Sequence, residues 1–391
     1  MNTKISAAVA SAALVLGSTA ANAGIIIPAG EWTLDVNGNV NVYATFQNYD
    51  DAATTTVTYG LAGTEDAAGE DSNSSINTGL LPAWLGFTGT TRQNDLDVSF
   101  TISMQPNVSE NAAAGDDVTP KWRQAFLTFG DKSWGTVKMG KDLGIFAGQA
   151  ILNDMTLLGV GAGYGNSGAK TTLGGIGTGY IYPAWKGQIA YTTPNFNGFT
   201  ATIGLTNPNQ VSNDATGQTL YQDRMGVEGQ LMYTGDSFKV WASGASYKVQ
   251  ASSSYEYDSE AVDLGAAFTF GNATLTAYVY SAEGAGTTLY GYGGTTGSAE
   301  RDSDGGYVQG TYVIPSGTKL GVSYGVSSLD TASGETNASL LDKNTRWTVG
   351  AYHPLTKHLN LVAEFNSVTA EAQGSNENES QALSLGAILF F

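Results

Sequence analysis

The chain of 391 residues has no cysteine and only two histidines, His353 and His358. Without cysteine there are no disulfide staples and no thiolate metal ligands. With two histidines close together, histidine metal centres and Ser–His catalysis lack the groups they need. Charge is also scarce. Asp, Glu, Lys and Arg make up 13% of residues, about half of the roughly 25% usual in globular domains. The charge that exists is acidic, 17 Lys and Arg against 35 Asp and Glu, a net −18. Neutralising phosphates takes a basic surface, so nucleic acid is not an expected partner. Disorder is disfavoured by 41% hydrophobic and 10% aromatic residues.

Glycine and tyrosine are abundant, at 51 and 20 residues. Low charge with high Gly and Tyr points to an all-β chain whose large surfaces do not face bulk water. The first 23 residues read as an export signal. Lys4 supplies a positive start, residues 5–16 are apolar and small, and Ala21-Asn22-Ala23 is an A-x-A cleavage site before Gly24. Residues 24–391 are then the mature domain. Loss of Lys4, the one charge in the leader, takes the net charge from −18 to −19. No later segment holds about 18 consecutive apolar residues, so no membrane-spanning helix is expected.

The mature chain alternates with a period of two. Leu96, Val98, Phe100, Ile102 and Met104 share one face, while Asp97, Ser99, Thr101 and Ser103 share the other. The pattern recurs at Phe199–Leu205, at Val262–Phe270 against Asp263, and at Leu359–Phe365 against Asn360 and Glu364. It closes the chain at Leu383, Leu385, Ala387, Leu389 and Phe391. Strict alternation marks strands with one apolar and one polar face. Runs near ten residues exceed the usual five or six of soluble strands and match a tilted membrane crossing.

Connections alternate as well. Seven short turns fall at 90–95, 130–133, 194–198, 235–236, 271–272, 315–317 and 354–357. Eight longer polar stretches lie near 47–79, 106–120, 142–184, 206–221, 250–257, 283–303, 328–342 and 368–379. Fifteen connections join sixteen strands and leave both termini on the short-turn side. Even strand number, short periplasmic turns and long outer loops describe a transmembrane antiparallel β-barrel. Sixteen strands leave a lumen too wide for side chains to fill.

Ala83-Trp84-Leu85-Gly86-Phe87-Thr88-Gly89, Arg123-Gln124-Ala125-Phe126-Leu127, Gly135-Thr136-Val137-Lys138-Met139-Gly140-Lys141 and Pro194-Asn195-Phe196-Asn197-Gly198-Phe199 occur in that order before a terminal Phe391. This series resembles the general porins of Gram-negative outer membranes, which are trimeric diffusion channels of sixteen strands. The resemblance implies outer-membrane location, no enzyme activity and no cofactor. It implies small hydrophilic solutes and ions as cargo, and lipopolysaccharide, a homotrimer and the barrel assembly machinery as partners, the last reading Phe391.

It also implies an inward-folded third outer loop, here the longest, between Lys141 and Ala184. In the family basic wall residues face acids on this loop. The carry-over makes Lys141, Lys186 and Arg123 the basic candidates, Asp154 and Asp142 the acidic ones, and puts Trp84 where the family carries Arg. The family's acidic loop motif is not recognisable here. The acidic balance suggests a cation-leaning channel. A substrate-specific channel and, less so, a barrel enzyme are the alternatives.

Other patterns have plainer readings. Gly159, Gly161 and Gly163 with Lys170-Thr171 hint at a phosphate loop, but Ala169 stands where the Walker pattern needs Gly. Asp302-Ser303-Asp304-Gly305 lacks the Glu of a calcium loop. His353 and His358 flank a periplasmic turn. Asp50-Asp51, Glu65-Asp66, Glu70-Asp71 and Asp116-Asp117 read as solvated or cation-binding outer loops. Trp32, Trp122, Trp134, Trp185 and Trp347 suit an aromatic girdle, and Tyr278 and Tyr280 could line the lumen.

Overall fold

The computed structural model describes residues 24–106, 108, 121–163, 171–207, 224–252 and 255–391. The proposed leader, its Ala23 cleavage site, Asp116-Asp117 and Lys170 lie outside the described residues. Among the described residues twenty strands occur: β1 Ile25–Ala29, β2 Trp32–Tyr49, β3 Ser72–Asn77, β4 Trp84–Gln93, β5 Leu96–Gln105, β6 Lys121–Asp131, β7 Gly135–Leu143, β8 Trp185–Thr192, β9 Phe199–Thr206, β10 Gly226–Thr234, β11 Phe238–Ser252, β12 Tyr255–Phe270, β13 Ala273–Glu283, β14 Thr295–Thr296, β15 Ala299–Glu300, β16 Asp302–Val313, β17 Lys319–Leu329, β18 Leu341–Pro354, β19 Leu359–Ala372 and β20 Glu377–Phe390.

Sixteen of these, β2, β4 to β13 and β16 to β20, pair with their neighbours antiparallel. The ring closes where β2 meets β20, in register from Asn39 opposite Phe390 to Tyr49 opposite Ser380. The barrel strand count and the alternation match the expectation from sequence. The outer face carries the apolar set, with Leu231 64%, Val262 61% and Val279 57% exposed. A contiguous apolar belt of this kind is stable only where lipid covers it.

The short turns fall on one rim. At the β4–β5 turn Asn94 and Asp95 both take positive φ, 48° and 63°. That is the two-residue hairpin geometry whose twist suits paired strands. Phe391 finishes the closure. Gly38 N–H donates to the Phe391 carbonyl at 2.8 Å, and Phe391 N–H donates back to Gly38 at 3.0 Å. The Phe391 ring lies over Gly38, where an added Cβ would come within 2.7 Å of it.

Two expected long loops are shorter than the sequence suggested. The fifth and eighth, near 250–257 and 368–379, are mostly strand, because β11 continues to Ser252 and β20 begins at Glu377. Strand pairing there continues through polar residues such as Glu371 opposite Glu377. Beyond the lipid belt both faces meet water, so pairing persists after the apolar alternation stops. Strands β1 and β3 also escaped the sequence reading. They flank β2 above and below its barrel neighbours.

Candidate functional site

The third outer loop, described over 144–163 and 171–184, folds into the lumen. Its described residues contain one short helix, α1 (Gly148–Asn153), and a 3-10 turn, Met155–Leu158. Phe146, Ala147, Ala150, Met155, Val160, Tyr180 and Ile181 are buried against inward side chains of the wall, including Tyr43, Tyr278, Tyr307 and Tyr352. The inward tyrosines Tyr278 and Tyr280 therefore line the lumen face, as one of the two sequence readings allowed.

Wall carboxylates hold this loop by its backbone. Glu228 on β10 accepts from Ile145 N–H at 2.6 Å and Phe146 N–H at 2.9 Å. Its second oxygen accepts from Lys186 and Tyr247. Asp263 on β12 accepts from Ala147 N–H at 3.1 Å, from Ser243 Oγ at 2.6 Å and from Tyr278 OH at 3.2 Å. Glu364 on β19 accepts from Val160 and Gly161 N–H at 2.9 and 2.8 Å, and from Tyr352 OH at 2.6 Å. Gln309 on β16 adds two bonds, accepting from Met155 N–H at 2.9 Å and donating to the Asn153 carbonyl at 2.7 Å. Charge-assisted bonds to buried amides are the strong class, so the loop is fixed on the side of the barrel from β10 round to β2.

The glycine run now has a cause. At Gly159 an added Cβ would lie 2.0 Å from Glu364 Oε1, and Gly161 takes a φ of +63°. The amides of this run do cradle an anion, but it is the carboxylate of Glu364. Nothing in this cradle supports the phosphate-loop reading.

The site residues expected from sequence separate into three groups. Lys186 and Asp142 point inward and are buried. Asp142 pairs with Lys138 at 2.5 Å and accepts from Gln124 at 3.1 Å. Lys186 is neutralised by Glu228 and also reaches Tyr247 at 3.0 Å. Asp154 is buried within the loop itself. It accepts from Thr156 N–H at 2.9 Å, Thr156 Oγ1 at 2.7 Å, Gly175 N–H at 2.9 Å and Tyr180 OH at 2.8 Å. With four donors it caps and ties the loop rather than facing open water. Burial, and then the Asp154 charge, push the Tyr180 hydroxyl well above its ordinary pKa.

Lys141 lies elsewhere. It sits opposite Ala125 and in the same alternation as Val137 and Met139, on the outward face. Its ammonium bonds the Trp122 carbonyl at 2.9 Å. The inward lysine of that strand is Lys138. Alternation from Met139 was the sequence signal for this parity. Trp84 is inward and half-buried, donating to Asn37 at 3.2 Å and packing edge-on against Phe390. Arg123 is the extra residue at a register shift in the β5–β6 pairing, between Gln124 opposite Ser103 and Trp122 opposite Met104, and lines a cavity beside the loop.

Sequence reasoning missed Lys239 and Lys319. Both are on inward positions near the inner side of the loop. Lys239 donates to Gln149 on α1 at 3.3 Å and lies over the Trp241 ring. Lys319 lies 4.6 Å from the Tyr352 ring centroid. Among the described residues, no carboxylate is within ion-pair distance of either one. The arrangement thus reverses the expected one. Glu228, Asp263 and Glu364 are occupied with loop amides, while Lys239, Lys319 and Arg346, whose guanidinium bonds the Thr178 and Thr348 hydroxyls, have no carboxylate in ion-pair distance among the described residues. Among the described residues no cluster of three or more metal-ligating side chains forms, and His353 bonds Thr318 at 2.9 Å.

The outer rim is acidic and cross-tied. Arg301 grips Glu335 with two bonds of 2.8 and 2.6 Å, and bonds the carbonyls of Gly293 and Thr295 at 2.7 and 2.8 Å. The Arg301 hydrogen bonds hold the Glu335 carboxyl below its usual pKa.

Known proteins agree with this geometry. The outer-membrane channel DcaP of Acinetobacter baumannii is similar in structure, with a TM-score of 0.72 at 15% identity, over 94% of this chain and 100% of that one. OmpF of Salmonella typhi, solved with daunomycin, gives 0.62 at 15% identity over 94% and 100%. OmpT of Vibrio cholerae gives 0.57 at 16% identity over 94% and 100%. No curated protein matches the chain in sequence. The model of the Gram-negative porin family matches residues 10–373, and with that match over a closed barrel the chain belongs to the Gram-negative porins, diffusion channels of the outer membrane.

Proposed function

We propose that this porin passes small hydrophilic solutes by an axial route that crosses two fields of opposite sign. The observation that carries the reading is the division of charge. Acidic residues such as Asp50, Glu70 and Asp71 sit exposed on the outer loops. Lys239 and Lys319 stand without acidic partners among the described residues below the third loop. The rim enriches cations and the inner eyelet favours anions. Screening decides which dominates, because the Debye length is about 30 Å at 0.01 M and about 3 Å at 1 M. The cation lean suggested by total charge then holds at low salt and fades at high salt.

Planar-bilayer recording in asymmetric KCl tests this. Reversal potentials are expected to shift from cation toward anion preference as salt rises, and Lys239→Gln with Lys319→Gln is expected to remove the anion side. One unchanging sign in wild type and double variant alike refutes the charge assignment. We propose in addition that residues 1–23 direct export, that Phe391 is read by the assembly machinery, and that lipopolysaccharide surrounds the rim. The chain is proposed to carry no catalytic step and to form a homotrimer, a state supported by OmpT of Vibrio cholerae, which has been solved in a trimer form.

A further inference from the structure

On the free side of the pinned loop, between it and the start of β6, lies a cavity of about 380 Å3. Its lining includes Leu81, Leu143, Ile151, Leu152, Leu157 and Leu289, drawn from four separate segments of the chain. The charged residues that line it among those described are Lys121 and Arg123, both at the start of β6 and both cationic. A hydrophilic solute gains nothing from aliphatic walls. Space lined mostly by apolar side chains with a few convergent polar groups is instead the form of a small-molecule site.

From this geometry we infer that the cavity is a saturable subsite for an amphipathic organic anion, an aliphatic monocarboxylate of medium chain length. The hydrocarbon body would lie along Leu152, Leu157 and Leu289. The carboxylate would meet the Arg123 guanidinium, whose planar fork matches two carboxylate oxygens. A cationic amphiphile would meet Arg123 and Lys121 with like charge, and a short carboxylate would leave the apolar walls unfilled. The inference rests on the channel reading only for the route by which ligand arrives.

The test uses the full mature protein in planar bilayers, with acetate, hexanoate or octanoate added on the long-loop side during KCl conduction. Octanoate is expected to interrupt the current in a saturable way. Its apparent affinity should exceed that of hexanoate by roughly an order of magnitude, since each buried methylene is worth about four-fold. Arg123→Gln should weaken octanoate at least ten-fold, Arg123→Lys should weaken it less, and octyltrimethylammonium should not compete. Heat-modifiable gel mobility reports that each variant has folded. Equal block by acetate and octanoate, or equal block of wild type and Arg123→Gln, overturns the site. A folded protein without conductance refutes the channel reading instead, and calorimetric titration of octanoate into wild type and Arg123→Gln then decides the site alone.

Discussion

Replacing Glu364 by Ala should loosen the third loop without unfolding the barrel. The side chain is buried and accepts three hydrogen bonds, at 2.9, 2.8 and 2.6 Å, two of them from the loop amides of Val160 and Gly161. Each buried donor left without a partner costs about 1–3 kcal/mol. Relief of the desolvated carboxylate offsets part of this, so about 3 kcal/mol is expected. At 1.4 kcal/mol per decade that raises the population of loop-open states about a hundred-fold. The strand ladder is untouched, since the backbone at position 364 pairs with Gly350 and Ser384 whatever the side chain. The loss therefore appears as local opening. Single-channel recordings should show larger mean conductance and more frequent flicker, with heat-modifiable mobility retained. Glu364→Gln, whose carbonyl can still accept both amides, should lose only about 1 kcal/mol. A folded Glu364→Ala channel with wild-type conductance and noise refutes the pinning argument.

Three further outcomes are expected. Lys141→Gln should leave reversal potentials unchanged, because its ammonium is on the outward face; a clear change in ion preference would place it in the lumen after all. Glu335 contributes stability to the outer loops that is present above its unfolded pKa and lost as pH falls through its depressed folded value, so Arg301→Gln should matter at neutral pH and much less once the pH is below that folded value, as read by protease nicking of loops 284–300 and 330–340. Gly38→Val should block closure, since a Cβ there would lie 2.2 Å from the Trp84 carbonyl and 2.7 Å from the Phe391 ring; heat-modifiable folding of that variant at wild-type yield would refute the closure role.

Local rules carried the barrel. Alternation through Leu96–Met104 and Val262–Phe270, with Gly, Asn and Pro at the turns, set strand faces and connections because each signal lies within a few residues. Polar hairpin ends such as Glu371 and Glu377 were read as loop, because their pairing has no apolar side to report it. The site was less legible. Asp154 looked like a lumen acid, but its four donors come from Thr156, Gly175 and Tyr180, a local knot that spacing alone does not reveal. Glu228, Asp263 and Glu364 stood in the sequence as isolated carboxylates on polar strand faces. The loop amides they hold lie 82, 116 and 203 positions away or more, so only closure of the ring assigns them.

That spacing bears on the order of assembly. The carboxylates and the glutamine that hold the third loop come from β10, β12, β16 and β19, all made after the loop itself, while from β2 Tyr43 OH donates to the Leu158 carbonyl at 2.6 Å. Glu364 lies on β19, the strand before the last. A chain still being stitched into the membrane therefore holds a loop without the carboxylates that seat it. The aperture can narrow only once the final strand has sealed against β2, which makes the newly closed barrel a wider hole than the finished one.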